Sequence, residues 1–236
     1  PDVEAVVVPV GGGGLISGVA YAVKSLNPNV KVYGVQASGA PSMVNSLHDH
    51  KQEKLAKVST IADGIAVKEP GSVTFDICSR YVDDIVTVSE DEICAAILHL
   101  IESEKMVAEG AGAASVAAVM FNKVPVKGKK TICVVSGGNI DVTILSRVIN
   151  RGLAKSGRIC TLIIELADKP GQLLKVCQVI AAQGGNIVSV YHERNNDSKK
   201  VTDCVLRLSV ETKNQEHVES ITKALTDNGL KIRENI

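Results

Sequence analysis

The sequence has no tryptophan, two phenylalanines and four tyrosines, an aromatic content of 3%. The six rings (Tyr21, Tyr33, Phe75, Tyr81, Phe121 and Tyr191) are scattered along the chain, so no base-stacking platform is expected from them. Net charge is also lacking: 26 basic and 26 acidic side chains cancel over 236 residues, and they nearly balance on either side of Ser156. That leaves no basic surface for nucleic acid. No run of about 18 apolar residues is present to cross a bilayer, and no charged leader precedes an apolar signal core, so no membrane partner is expected. The six cysteines (Cys78, Cys94, Cys133, Cys160, Cys177 and Cys204) form no CxxC pair and have no histidines nearby at metal-ligand spacing. Most sit in apolar periodic segments, where a thiol packs as a small hydrophobe, and a reducing, cytoplasmic setting is expected.

What the chain does have is the content of a globular protein, 45% hydrophobic and 22% charged residues. Its most informative stretch is Val6-Val7-Val8-Pro9-Val10 running into Gly11-Gly12-Gly13-Gly14 and then into the helical pattern that opens at Leu15. A plain turn needs one or two glycines. Four in a row suit a backbone that must turn sharply or approach a ligand closely. A strand entering such a loop, with a helix opening behind it, aims free N–H groups and the positive helix end at one point, which suits an anion. The chain starts at Pro1 with this β-run already under way by Val3, so it is expected to be the C-terminal part of a longer polypeptide.

Short β-branched runs alternate with helical patterns up to about residue 155, which predicts a mainly parallel, doubly wound α/β sheet. Strands are expected at Glu4–Val10, Lys31–Gln36, Asp84–Val88 and, as a buried strand, Lys130–Val135; helices at Leu15–Leu26, Pro41–His50, Phe75–Tyr81 and Ala111–Asn122. Ser89-Glu90-Asp91-Glu92 reads as a capping box before a helix whose apolar face carries Ile93, Ala96, Ile97 and Leu100. Gly64, within Ile61–Ala66, predicts a close backbone approach. Around Gly152–Gly157 the pattern changes, which divides the chain into residues 1–155 and 157–236. The second part reads as βαββαβ, a small α+β domain of ferredoxin-like outline: a strand through Leu162, Ile164 and Leu166, a helix capped by Asp168, a strand at Asn186–Arg194, a hairpin loop at Asn195–Ser198, a strand through Thr202 to Val210, a helix through Val218, Ile221 and Leu225, and a last strand at Leu230–Ile232.

The identity of the anion can be tested by spacing. A P-loop requires Gly-Lys-Ser/Thr, whereas Gly14 is followed by Leu15-Ile16. A dinucleotide fingerprint requires glycines at i, i+2 and i+5, and both registers fail, at Ile16 and at Ser17; the next strand ends in Gln36 where that fingerprint needs an acid. A smaller phosphate ester held by backbone N–H groups remains.

Gly11-Gly12-Gly13-Gly14-Leu15, Ala62-Asp63-Gly64, Glu109-Gly110-Ala111-Gly112-Ala113 and Ser136-Gly137-Gly138-Asn139, in this order, resemble the C-terminal portion of the fold-type II pyridoxal-phosphate enzymes, specifically the threonine/serine dehydratases (threonine ammonia-lyases). Arg151-Gly152-Leu153, Gly157-Arg158 and Asp168-Lys169-Pro170-Gly171-Gln172-Leu173 resemble the ACT regulatory domain appended to many of them. The resemblance implies pyridoxal 5'-phosphate as cofactor, with Gly11, Gly12, Gly13, Gly14 and Leu15 around its phosphate, Gly64 and Glu109 beside its ring, and Ser136 as partner of the pyridine nitrogen. It implies dehydration and deamination of threonine or serine: the substrate amine displaces a lysine, the Cα proton and β-hydroxyl leave, and the enamine hydrolyses to a 2-oxo acid and ammonia. The family's Schiff-base lysine belongs to an N-terminal part, and Lys24, Lys68 and Lys105 match no motif of it, so no catalytic residue is assigned here and this chain alone is expected to be inactive. Where metal-using relatives such as serine racemases have acidic residues, this chain has Gln36 and Ser42 around Ala40, so no metal is expected. The last domain is expected to take an amino-acid effector at Asp168, Gly171, Gln172 and Leu173, facing Asn186 across a subunit interface of a homo-oligomer. The rival reading is a non-enzymatic phosphate or nucleotide sensor with a regulatory tail.

Overall fold

The computed structural model describes residues 2–194 and 203–233. The chain divides into two compact units, Pro1–Ile149 and Asn150–Ile236.

In the first unit, β1 (Ala5–Pro9) lies between β2 (Lys31–Ala37) and β4 (Thr131–Cys133), and β3 (Asp84–Val88) adds outside β2. Every pairing is parallel. Successive β1 side chains enter different cores. Ala5 and Val7 join the cluster under α4 (Glu90–His99), α5 (Gly110–Met120) and α6 (Val142–Lys155); Val6, Val8 and Val10 join the one under α1 (Gly14–Leu26), α2 (Ser42–His48) and α3 (Ser72–Tyr81). A strand buried on both faces has no polar side to show, which is why this segment reads as an unbroken valine run. Each such valine contributes about 1.5–3 kcal/mol of burial. The doubly wound parallel arrangement agrees with the expected fold class.

Ser89 caps α4 as the sequence predicts: its Oγ accepts the Glu92 N–H at 3.3 Å, and Glu92 Oε2 accepts the Ser89 N–H at 2.7 Å. Ile93, Ala96 and Ile97 are buried, and Leu100, also buried, opens a π-helical turn that runs to Glu104. The expectation of a buried strand at Lys130–Val135 needs correction. β4 is only Thr131–Cys133 and forms an edge of the described sheet, with Ile132 47% exposed, because nothing among the described residues pairs with its outer side.

The second unit is an antiparallel sheet of order β6-β7-β5-β8, built from β5 (Ile159–Ala167), β6 (Asn186–Glu193), β7 (Asp203–Glu211) and β8 (Lys231–Arg233). One face packs on α7 (Gln172–Ala182) and α8 (Gln215–Asp227) through Leu162, Ile164, Leu166, Leu206, Leu208, Val176, Ile180, Ile221 and Leu225. The order β5-α7-β6-β7-α8-β8 is the βαββαβ pattern predicted. The hairpin expected at Asn195–Ser198, and Thr202, lie outside the described residues. Asp168 does not cap α7. The N-cap is Gly171, in the left-handed region at φ 87°, without a side-chain cap; the two intervening residues Lys169 and Pro170 carry the chain away, and Asp168 turns to Arg194 instead. None of the six cysteines is in a disulfide, and among the described residues no helix is long and apolar enough to cross a membrane.

Candidate functional site

The glycine run forms the junction between β1 and α1. Gly13 is the N-cap, at φ 94° and ψ −1°, a left-handed conformation that costs any L side chain. The first helical hydrogen bond runs from Ser17 N–H to the Gly13 carbonyl at 3.0 Å, so the N–H groups of Gly14, Leu15 and Ile16 have no intrahelical acceptor. No side chain caps them. The Gly12 carbonyl is turned away, accepting Thr74 Oγ1 and the Gly71 N–H from the α3 side. The loop thus directs donors one way and acceptors the other.

The loop borders a cavity of about 230 Å³ lined by Gly11 to Leu15, Gly64, Ile65, Glu109, Ala111 and Ser136. Among the described residues no lysine or arginine lines it, so what this chain offers an anion there is N–H groups and the end of α1, the latter worth about 0.3–2 kcal/mol. Glu109 occupies the N-cap position of α5, but its carboxylate does not cap that helix. Its N–H donates to the Gly137 carbonyl at 3.1 Å. The carboxylate lies between two glycines: a Cβ on Gly64 would stand 3.3 Å from Oε1, and one on Gly137 would stand 2.5 Å from it. The four predicted motifs therefore meet around one space, with backbone donors at one end and the exposed Ser136 at another. A small phosphate ester with a flat body fits this set: the donors suit its phosphate, and the bare backbone beside Glu109 admits a ring.

Gln36, read in the sequence only as a missing acid, has a structural role. Fully buried at the end of β2, its Oε1 accepts the Met43 and Val44 N–H groups at 2.9 and 3.0 Å and so caps α2 from a neighbouring strand. A glutamine seven and eight residues before its two partners matches no capping motif, which is why sequence reasoning passed over it.

The second unit has its own cavity, of about 310 Å³, in which Asp168, Gly171, Gln172 and Leu173 meet His192, Arg194 and Cys204. Asp168 Oδ2 pairs with Arg194 Nε at 3.0 Å, and Oδ1 lies 3.8 Å from His192 Nε2. Burial pushes the Cys204 thiol up, the Asp168 carboxylate adds to this, and Arg194 opposes it. Asn186 is not in this cavity; at the opposite end of β6 its Nδ2 donates to Glu211 Oε2 at 2.8 Å. His192, Arg194 and Cys204 escaped the sequence reading because it searched for local spacing, whereas hairpin register brings them together.

A model of pyridoxal-phosphate dependent enzymes matches residues 1–138, and one of the ACT domain matches residues 156–228. The chain is 50% identical over 233 residues to an L-threonine ammonia-lyase of Thermotoga maritima, covering 99% of this chain and 58% of that protein. It is 42% identical over 225 residues to an L-threonine ammonia-lyase of Geobacter sulfurreducens, covering 95% and 56%. Among solved structures, the processed form of threonine deaminase isoform 2 from Solanum lycopersicum superposes with a TM-score of 0.60 at 40% identity, over 64% of this chain and 44% of that one. The chain thus spans a little over half the length of these curated relatives. With the family match covering more than half of the chain and including every residue named as lining the first cavity, Gly11 to Ser136, the chain belongs to the pyridoxal-phosphate-dependent enzymes and carries an ACT domain behind that portion.

Proposed function

We propose that the full-length protein is an ammonia-lyase that dehydrates and deaminates threonine or serine to a 2-oxo acid and ammonia, and that its C-terminal domain regulates it by binding an amino acid. The observation that carries this reading is the convergence of Gly11–Leu15, Gly64, Glu109 and Ser136 on one cavity without a cationic side chain. When bound, pyridoxal phosphate supplies the electron sink that lets the Cα proton and the β-hydroxyl leave. The chain's own residues hold and tune it. The N–H groups of the glycine loop would hold the phosphate, and Gly64 and Glu109 would stand beside the ring. The Ser136 hydroxyl would partner the pyridine nitrogen; being neutral, it would stabilise a protonated ring less than a carboxylate, a weaker sink that suits prompt β-elimination.

The lysine that carries the cofactor is proposed to lie outside this chain, since Lys24, Lys68 and Lys105 are not among the residues lining the cavity. For the regulatory site, Asp168 suits the effector's ammonium, and Arg194 with the start of α7 suits its carboxylate. Exposed Leu174, Val188 and Tyr191 on this unit support self-association, and six cysteines without a disulfide suit a reducing cytoplasm. The test is product formation by the full-length protein with pyridoxal phosphate: 2-oxobutanoate from threonine or pyruvate from serine is expected. A protein that binds the cofactor yet releases neither product is a sensor and not a lyase.

A further inference from the structure

We propose that Asp168, His192 and Cys204 form a binding site for one divalent transition-metal ion of the zinc class. Their ligand atoms all lie within 4.8 Å of one another. Strand register produces the cluster. His192 on β6 pairs with Leu206 on β7, two residues from Cys204, and Cys204 pairs with Leu166 on β5, two residues from Asp168. Cys204, on the middle strand β7, therefore has His192 as a diagonal neighbour on one side and, one residue past the end of β5, Asp168 on the other; each lies at the backbone spacing of about 7–8 Å that side chains can bridge.

The donor set decides the class of ion. One imidazole nitrogen, one thiolate and one carboxylate oxygen match zinc and its cobalt and nickel relatives, whereas magnesium and calcium demand oxygen alone. Bonds of about 2.0–2.3 Å in a tetrahedron put ligand atoms about 3.3–3.6 Å apart. His192 Nε2 and Asp168 Oδ1, at 3.8 Å, are already close to that, and the Cys204 thiol, within 4.8 Å of both, needs a shift of at most about 1.5 Å to join them. Asp168 also brings an outer partner: with Oδ1 turned to the cluster, Oδ2 is held by Arg194 at 3.0 Å, the kind of contact that orients a ligating carboxylate. The three residues line the cavity of about 310 Å³, which provides a path in and leaves a fourth position for water; because Asp168 is also the residue that suits an effector's ammonium, the ion and the amino acid compete for it and occupy the cavity alternately. On binding, the ion forms a bond to Cys204 Sγ as the thiol proton passes to solvent, with no change in oxidation state. The site stands on the geometry of the second unit and does not depend on the lyase reading.

The test uses reduced, metal-free protein of the full 236-residue chain, titrated with Co²⁺ alone and followed by visible d–d bands and the thiolate-to-cobalt charge-transfer band, with Zn²⁺ as competitor. One ion per chain with a thiolate band, displaced by Zn²⁺, is expected. Cys204→Ser abolishes the charge-transfer band, and Cys160→Ser leaves it. The exposed His192→Gln, chosen in case the buried substitution unfolds the domain, weakens Co²⁺ binding by more than the ~10–100-fold that loss of an outer-shell partner costs. Absence of a thiolate band in the unsubstituted chain, or its persistence at full affinity in both Cys204→Ser and His192→Gln, overturns the proposal.

Discussion

Glu109 and Gly137 are fastened together at two points: the Glu109 N–H donates to the Gly137 carbonyl at 3.1 Å, and the glutamate carboxylate lies so near the glycine that a Cβ there would stand 2.5 Å from Oε1. No side chain larger than hydrogen leaves both contacts intact. The atoms in the way are the end of a flexible side chain, so Gly137→Ala is predicted to displace the Glu109 carboxylate and to destabilise the protein by about 1 kcal/mol, the low end of the usual cost of overpacking. Most of that loss should return in the double variant Glu109→Ala/Gly137→Ala, because the clashing carboxylate is gone. Denaturant unfolding of the four proteins checks this; strictly additive losses would mean that the two residues do not meet.

At the start of α4, Ser89→Ala removes the acceptor of the Glu92 N–H and leaves half of a reciprocal cap. The expected cost is about 0.5–2 kcal/mol. Product formation should be unaffected, since Ser89 does not line the glycine-loop cavity. Thermal unfolding and turnover of the same sample separate the two effects.

These two sites differ in how far the sequence revealed them. The cap at Ser89 is local: four consecutive residues contain both partners, and the pattern could be read directly. Gly11–Gly14 was equally legible, since a broken β-run followed by a helix has few structural solutions. The Glu109 contact was not legible from spacing, because it depends on which loop lies opposite after the sheet has formed; only the family resemblance brought the motifs together. Gln36 and the trio Asp168, His192 and Cys204 mark the limit, as their partners are set by strand order and hairpin register. The buried strand expected at Lys130–Val135 erred similarly: apolar content predicts a strand, whereas burial depends on a neighbour outside its own segment.

Acid should loosen the first unit through Asp83. This carboxylate pairs with Lys24 and Lys31, each at 2.7 Å, and accepts the Val32 N–H at 2.8 Å. Burial by itself raises its pKa, but the three donors outweigh burial and hold it below the ordinary value. A depressed carboxylate contributes stability above its unfolded pKa, about 3.9, and loses it as pH falls from there through the lowered folded value. Asp83→Asn is therefore predicted to be less stable at neutral pH and to lose less stability than the wild type between pH 5 and 3, as read from denaturation midpoints. A parallel decline in both proteins would remove Asp83 as the cause.

In the second unit, calorimetric titration of the 236-residue chain with isoleucine, valine and threonine should detect binding of at least one. Arg194→Ala should weaken that binding about tenfold or more, the scale of a lost charge-assisted contact. Silence against all three removes the amino-acid effector role from the domain.

The account rests on a phosphate held by backbone donors at the start of α1, and Gly14 offers its most direct test. A Cβ at Gly14 meets nothing within 4 Å, so Gly14→Asp fits the fold, and an acidic side chain in the first turn favours the apo helix by about 0.3–1 kcal/mol. The same charge faces the proposed phosphate. Affinities of full-length wild type and Gly14→Asp for pyridoxal phosphate and for pyridoxal, which lacks the phosphate, isolate that contact. The wild type is predicted to prefer the phosphorylated form by ~100-fold or more, a difference of about 2.7 kcal/mol, and the variant to lose that preference without losing stability. Equal preference in the two proteins would place the phosphate elsewhere and contradict the account.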